Sequence, residues 1–513
     1  MKTNHTPEEI EILINPNKEP LVLPERFNKE NYSQIRSFHQ SLPAYRPTPL
    51  ISLKALAETL GVKAIYIKDE SHRFGLNAFK ALGASWAMEK LIKEENAKAE
   101  ENSPTKLKTE TVNQNGKATS EKASALNDIK DNLGEKLAAQ ANVIDKVNQD
   151  SKITKAEAKA YTEICSKNCA DAKSSTVASV KASADNENCE KDFAEAKTME
   201  VTNAKAKAYN QICEKDFAEA KSLAVTKVKA KAFTFVTATD GNHGKAVAWA
   251  AANAGARAFV FMPKGSAESR VEAIRALGAC VEVTDFNYDA TVAHAAEFAK
   301  KNGYFLMQDT GFEGYTATPW NITMGYTTMA SEAIEQMEGL LPTHVFLQAG
   351  VGSMAGGVMG YLLDSLRNNP PFVSIVEAAG ADCIYQSALN GKITRVEGEC
   401  DTIMAGLNCG SVSLCVYELL MQGAKAFIKC SDSISEEGMR RLARPQAGDK
   451  PIVSGESGAV TAGLVCRLCE DEAYSEGREL LGLNKDSVIL LFSTEGATDP
   501  VNYEKVLNFA SDK

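Results

Sequence analysis

Short apolar runs alternate with helix-spaced apolar positions along most of the chain. Lys63 to Lys68 (K-A-I-Y-I-K) predicts a strand and Ala78 to Glu94 a helix. Phe233 to Val236 predicts the next strand, with a helix from about His243, and Ala258 to Met262 another, with helical spacing from Glu268 to Leu277. Thr343 to Leu347, Phe372 to Val376 and Ser487 to Phe492 predict further strands, each leading into a loop. Strands that alternate with helices indicate an α/β protein with largely parallel sheets, because parallel neighbours need a crossover between them.

Between about Asn96 and Ala232 this pattern stops. The stretch is rich in Ala, Lys, Glu, Asp, Asn and Ser, has no Trp, two Gly and one Pro, and repeats itself. Cys189-E-K-D-F-A-E-A-Lys197 recurs 24 residues later as Cys213-E-K-D-F-A-E-A-Lys221, with a weaker copy from Cys165 to Lys173. A fixed period marks a repeat, and Ala-rich, Pro-poor composition favours helix. A period of 24 is no multiple of the coiled-coil heptad. Two readings stay open: a solvated, partly helical excursion without chemistry, or an arm that binds an unknown partner.

Charge and cysteine content narrow the function classes. The net charge of −10 leaves no basic surplus to displace counterions from a nucleic acid. No run approaches the roughly 20 apolar residues of a membrane span, and Met1 to Glu30 lacks the apolar core of an export signal, so the expected location is cytoplasmic. Twelve scattered cysteines read as small buried hydrophobes. Cys466 and Cys469 form a C-x-x-C without a second ligand pair, so core packing is expected and no metal site.

Four stretches, each just after a predicted strand, carry chemistry. Lys68-D-E-S-H-R-F-G-L-N-A-F-Lys80 places Lys80 at the start of a helix beyond a polar, Gly-containing turn. A neighbouring Lys or Arg there would disfavour the ammonium form, and a neutral amine is what Schiff-base formation needs. Thr237-A-T-Asp240-G-Asn242-His243-G is a strand–turn–helix that can present Asp240 and Asn242 to a ligand, although an Asx turn explains Asn242 equally well. His243 reads as a packing or capping residue. Gln348-A-Gly350-V-Gly352-S-M-Ala355 brings backbone N–H groups and a helix start together, as a phosphate site requires. It also fits the looser dinucleotide pattern, with Glu377 ending the next strand, so that rival stays open on these residues alone. Ser493-Thr494-Glu495-Gly496 ends the last strong strand with two neutral hydroxyls that could meet a heteroaromatic nitrogen.

In order and character these stretches resemble the fold type II pyridoxal-phosphate enzymes, the tryptophan synthase β-like family. Within it the wording is similar to that of the diaminopropionate ammonia-lyases. The matching phrases are Tyr45-R-P-T-P-Leu50, K-D-E-S-H-R-F-G-L-N-A-F-K, T-D-G-N-H-G, Met262-P-K-G-S-A, Gln308-D-T-G-F-E-G-Tyr315, Q-A-G-V-G-S-M-A-G-G, Ile403-M-A-G-L-N-C-Gly410, Ser454-G-E-S-G-A-Val460 and S-T-E-G. The resemblance spans roughly residues 35–95 and 233–505 and decides the Gly350 loop in favour of a phosphate anchor. It departs from the family where Lys80 and Asp240 stand 160 positions apart, so the repeat-bearing stretch looks inserted. Loop closure penalises such length only slowly.

The resemblance implies two parallel-sheet α/β domains with the active site between them: a large domain from 1–75 and 311–513, and a small one from 76–310 interrupted by the insertion at 97–232. It implies pyridoxal 5'-phosphate carried on Lys80, its phosphate cradled by Gly350, Val351, Gly352, Ser353, Met354 and Ala355, its ring hydroxyl met by Asn242 and its ring nitrogen by Ser493 or Thr494. It further implies elimination from D- and L-2,3-diaminopropionate to pyruvate and two ammonia, in a homodimer. Asp240 would take the proton on one face and Lys80 on the other, while Asp309 binds or protonates the leaving amine. A serine or threonine dehydratase-like reaction on the same scaffold is the alternative, as is a non-catalytic protein that binds through the insertion. Whether Cys383 and Cys409 form a disulfide is left open.

Overall fold

The computed structural model describes residues 9–101, 233–239, 241–396, 398 and 400–509. Asp240 and nearly all of the repeat-bearing stretch, from 102 to 232, lie outside them. The chain divides into two compact units, 1–94 with 206–513, and 95–205.

The first unit contains eleven described strands: β1 (Ile10–Ile14), β2 (Leu50–Ser52), β3 (Ala64–Asp69), β4 (Thr234–Ala238), β5 (Arg257–Met262), β6 (Cys280–Val283), β7 (Phe305–Leu306), β8 (His344–Gln348), β9 (Phe372–Ala378), β10 (Ala426–Cys430) and β11 (Val488–Ser493). They form a seven-stranded sheet in the order β1-β10-β9-β8-β11-β3-β2 and a four-stranded sheet in the order β6-β5-β4-β7. The α/β expectation is borne out, and each predicted strand is present within one or two residues.

The smaller sheet is parallel throughout. The larger one is mixed, which corrects the expectation of two parallel sheets. Its centre, β10-β9-β8-β11-β3, is parallel, but β1 runs antiparallel to β10 (Ile10 opposite Cys430) and β2 antiparallel to β3 (Leu50 opposite Lys68). Both added strands lie at edges, where one ladder suffices. β2 reaches its partner by the short connection through helix Lys54–Thr59, so no crossover forces it parallel.

Strands β8 and β11 are buried along their whole length, as expected of parallel strands covered on both faces. Helix Glu456–Glu470 packs on them almost wholly buried, and Cys466 within it is a fully buried core residue. Among the described residues no helix is long and apolar enough to cross a membrane.

The strand orders place the functional loops. In the larger sheet β8, β11 and β3 are neighbours, so their carboxyl ends bring together the Gly350 loop, S-T-E-G and the turn that leads to Lys80. In the smaller sheet β4 pairs with β7, so Thr239 and the start of helix Asn242–Asn253 stand beside the loop carrying Gln308 and Asp309. Ligand sites of open parallel sheets form at carboxyl ends.

Candidate active site

These loops line one cavity of about 1270 Å³. Lys80 is the last residue before helix Ala81–Glu101, and its carbonyl accepts from the Ala84 amide at 3.2 Å. Its Nζ donates to Asp309 Oδ2 at 2.8 Å. Burial alone would lower the lysine pKa, but the Asp309 carboxylate outweighs it and the pKa is raised. This reverses the expectation of an ammonium disfavoured by neighbouring cations. Arg73 and Lys68, the cations near it in sequence, point away into a separate cluster with Glu70 and Glu332. For Asp309, burial would raise the pKa, yet the Lys80 ammonium beside it holds it below the usual carboxylate range.

Asp309 is held by its own loop. Tyr315 Oη accepts from the Gln308 amide at 2.9 Å and donates to the Leu306 carbonyl at 2.9 Å. Ser353 Oγ donates to the Asp309 carbonyl at 2.9 Å, joining that loop to the phosphate-type loop. Gln308 Oε1 accepts from Thr237 Oγ at 3.0 Å, tying it to the end of β4.

The Gly350 loop has the shape a phosphate cradle needs. A Cβ on Gly350 would stand 3.1 Å from Cys409 Sγ and from the Gly406 carbonyl, and Gly352 has φ +89°, which disfavours any other residue. Helix Ser353–Ser365 begins directly after Gly352, so its first-turn amides have no carbonyl one turn back and are left for an anion to accept from. Gly350, Val351, Gly352, Ser353 and Met354 line the cavity, whereas the Ala355 side chain is wholly buried behind them. The dinucleotide rival loses its acid: Glu377 is buried and accepts from the amides of Ile384 (2.9 Å) and Tyr385 (2.7 Å) at the start of helix Cys383–Asn390. These residues thus fit pyridoxal phosphate: a lysine, an all-backbone anion cradle and polar groups around one cavity.

Asn242 lines the cavity at the start of helix Asn242–Asn253, and its Nδ2 donates to Glu495 Oε2 at 2.5 Å. Glu495 also accepts from the Ser457 amide at 3.1 Å. Of the two hydroxyls, Thr494 lines the cavity and accepts from Gln348 Nε2 at 3.1 Å, whereas Ser493 turns inward and donates to Ser454 Oγ at 2.8 Å. Asp240 lies outside the described residues, but its neighbours Thr239 and Gly241 both line the cavity. Cys383 and Cys409 are free thiols.

Three residues escaped the sequence reading: His243 as a neighbour of Asp309 (3.7 Å), Glu495 as the partner of Asn242, and Tyr315 as the brace of the Asp309 loop. Each stands inside one of the family-like phrases, so membership of a motif was the available signal.

Comparison with known proteins agrees with this geometry. Residues 211–491 match the family described as pyridoxal-phosphate dependent enzyme. The chain is 37% identical over 483 residues to the diaminopropionate ammonia-lyase of Escherichia coli (strain K12), covering 94% of this chain and 92% of that protein. The crystal structure of diaminopropionate ammonia lyase from Escherichia coli with an aminoacrylate-PLP azomethine reaction intermediate superposes with a TM-score of 0.68 at 35% identity, covering 98% of each chain. The complex of that enzyme with D-serine superposes with a TM-score of 0.68 at 34% identity, covering 97% of each chain.

Proposed function

The chain belongs to the pyridoxal-phosphate dependent enzymes and, within them, to the diaminopropionate ammonia-lyases, and on that premise we propose how its residues divide the work of elimination. The cofactor, when bound, supplies an electron sink for the pair left at Cα as a substrate loses its Cα proton. Lys80 carries it, the backbone of Gly350 to Ala355 holds its phosphate, and Asn242, oriented by Glu495, meets the ring hydroxyl. Thr494 rather than Ser493 meets the ring nitrogen, a reading supported by their opposite orientations.

The observation that carries the substrate reading is the Lys80–Asp309 pair inside the cavity. Once Lys80 is engaged elsewhere, Asp309 is left as a nearly buried carboxylate without its cation. A buried charge strongly favours a partner of opposite sign, and the β-ammonium of a diamino acid supplies one where a serine hydroxyl cannot. Asp240 accepts the Cα proton on one face and Lys80 on the other, so both D- and L-2,3-diaminopropionate react. The β-nitrogen leaves as ammonia with the electron pair of the broken Cβ–N bond. The released enamine hydrolyses to pyruvate and a second ammonia. The relative's D-serine complex supports access by a D-amino acid. We read the enzyme as a cytosolic homodimer, as the resemblance implies.

The test is pyruvate release from D- and L-2,3-diaminopropionate, with serine and threonine as controls. Both diamino isomers are expected to react faster than either hydroxy acid. Asp240→Asn is expected to lose about 10²-fold on the D-isomer and little on the L-isomer. Equal loss on both refutes the two-base assignment. Faster keto-acid release from serine or threonine assigns the chain a dehydratase activity instead.

A further inference from the structure

The ring of His243 is buried, and its two nitrogens meet unlike surroundings. Nε2 lies 2.7 Å from the Met307 carbonyl oxygen. A carbonyl only accepts, so Nε2 carries the hydrogen. Burial pushes the imidazole pKa down, which keeps the ring neutral and leaves Nδ1 a bare lone pair. That Nδ1 is buried and, among the described residues, has no hydrogen-bond partner. It stands 3.7 Å from Asp309 Oδ2, the same oxygen that accepts from Lys80 Nζ at 2.8 Å.

Buried acceptors in folded proteins nearly always have a donor, so an orphan beside a carboxylate calls for explanation. While Asp309 is ionised, two lone-pair atoms face each other. Once Oδ2 carries a proton, the same two atoms can close into an O–H···N hydrogen bond. We propose that His243 is a positioning residue that holds the acid form of Asp309, so that Oδ2 relays a proton between Lys80 Nζ and the leaving amine.

The proton balance is simple. The Lys80 ammonium gives one proton to Oδ2, leaving a neutral amine and a carboxylic acid whose O–H points to Nδ1. When the Cβ–N bond of the β-ammonium breaks, nitrogen keeps the electron pair and leaves as ammonia, which takes that proton and departs as ammonium, and Asp309 returns to a carboxylate. The groups that face this trio are Cys409, Tyr315 and Tyr326 toward Asp309, and Glu495 toward Lys80. Burial pushes the Cys409 thiol up to about 12 and raises both phenols, so none competes for the proton at neutral pH.

The proposal rests on Asp309 binding and protonating the leaving amine, and a pair of variants isolates the part played by His243. His243→Asn keeps an acceptor near the Nδ1 position and loses the donor to Met307. His243→Gln keeps a donor near the Nε2 position and loses the acceptor facing Asp309. In the cofactor-loaded enzyme, His243→Gln is expected to lose about 10²-fold in kcat with KM within about twofold, while His243→Asn stays within about fivefold of the parent. Removing a group that stabilises the proton-bound state lowers its pKa, so the alkaline limb of the His243→Gln kcat profile moves to lower pH. If His243→Gln equals or exceeds His243→Asn in kcat, the ring is only a peg to Met307 and the proposal fails. Nitrogen NMR of the cofactor-free parent gives an independent readout: a bare Nδ1 at neutral pH is expected, and a hydrogen on Nδ1 overturns the proposal. Asp309→Asn separates the two readings. An unimpaired Asp309→Asn refutes the role of Asp309 itself, whereas an impaired one with the Gln/Asn order reversed refutes the His243 relay alone.

Discussion

Two ionic clusters sit in the interior of this protein, and they are built to opposite specifications. In the first, Arg73 donates to Glu70 from Nε (2.8 Å) and Nη2 (2.7 Å), and to Glu332 from Nη1 (2.9 Å) and Nη2 (2.8 Å). Lys68 Nζ adds a 2.7 Å contact to Glu332 and donates to the Thr48 carbonyl and to Gln336. Tyr45 and the Thr48 amide also donate to the Glu332 carboxylate. All four charged side chains are at most 1% exposed. The second cluster, Lys80–Asp309–His243, opens on a cavity, and one of its nitrogens has no hydrogen-bond partner among the described residues. Charge burial alone therefore does not mark a functional site. The first cluster satisfies its donors and acceptors and so fixes geometry: it clamps the end of β3 and the turn toward Lys80 onto helix Thr327–Gln336. The second is left incomplete by the chain, and the missing partners are what a ligand or a proton would supply.

That contrast breaks most visibly in opposite readouts. Lys80→Ala is expected to lower elimination by on the order of 10⁴-fold. Its effect on the unfolding free energy of the cofactor-free protein is expected to be smaller than that of Arg73→Met, because Lys80 and Asp309 line a cavity. Arg73→Met should do the reverse. It strands the buried Glu70 carboxylate and leaves Glu332 with Lys68 alone as its cation, and removing one partner of such a cluster costs about 3–5 kcal/mol. Denaturant unfolding would read that loss, while per-molecule kcat of the folded fraction stays within a few-fold. An Arg73→Met variant of unchanged stability would mean that the buried network does not carry the clamp assigned to it.

The sequence made this difference only partly visible. Residues whose role depends on their own neighbours in the chain were legible: the strand Ala64–Asp69 from its apolar run, Lys80 and the Gly350 loop from turns directly after strands, Asp309 from its motif. Residues whose role depends on a distant partner were not. Ile10–Ile14 lies in a polar, acidic N-terminal stretch and becomes a strand by pairing with β10. Glu332 lies in an unremarked helix and acquires its role only when Arg73 and Lys68 reach it. His243 reads from sequence as a packing residue, which half of its ring is. The other half acquires its meaning from Asp309, on the loop after the neighbouring strand.

The smallest effect sharpens the same contrast at the scale of one hydroxyl. Side chains alternate across β11, so Leu491 and Phe492 belong to opposite core clusters, and Ser493 and Thr494 likewise diverge. Ser493 Oγ donates to Ser454 Oγ in the interior. Thr494 Oγ accepts from Gln348 and, among the described residues, donates to nothing, so its hydroxyl hydrogen remains for a ligand atom. Ser493→Ala is expected to cost about 1 kcal/mol of stability and to leave the absorption spectrum of the bound cofactor unchanged. Thr494→Ala is expected to shift that spectrum and weaken cofactor binding several-fold, with a smaller change in stability than Ser493→Ala. Spectral titration with pyridoxal phosphate beside thermal unfolding of both variants distinguishes them. A spectral shift in Ser493→Ala alone would move the ring-nitrogen role to Ser493. The rule that the satisfied polar group is structural and the unsatisfied one functional would then fail at the position where it is most finely drawn.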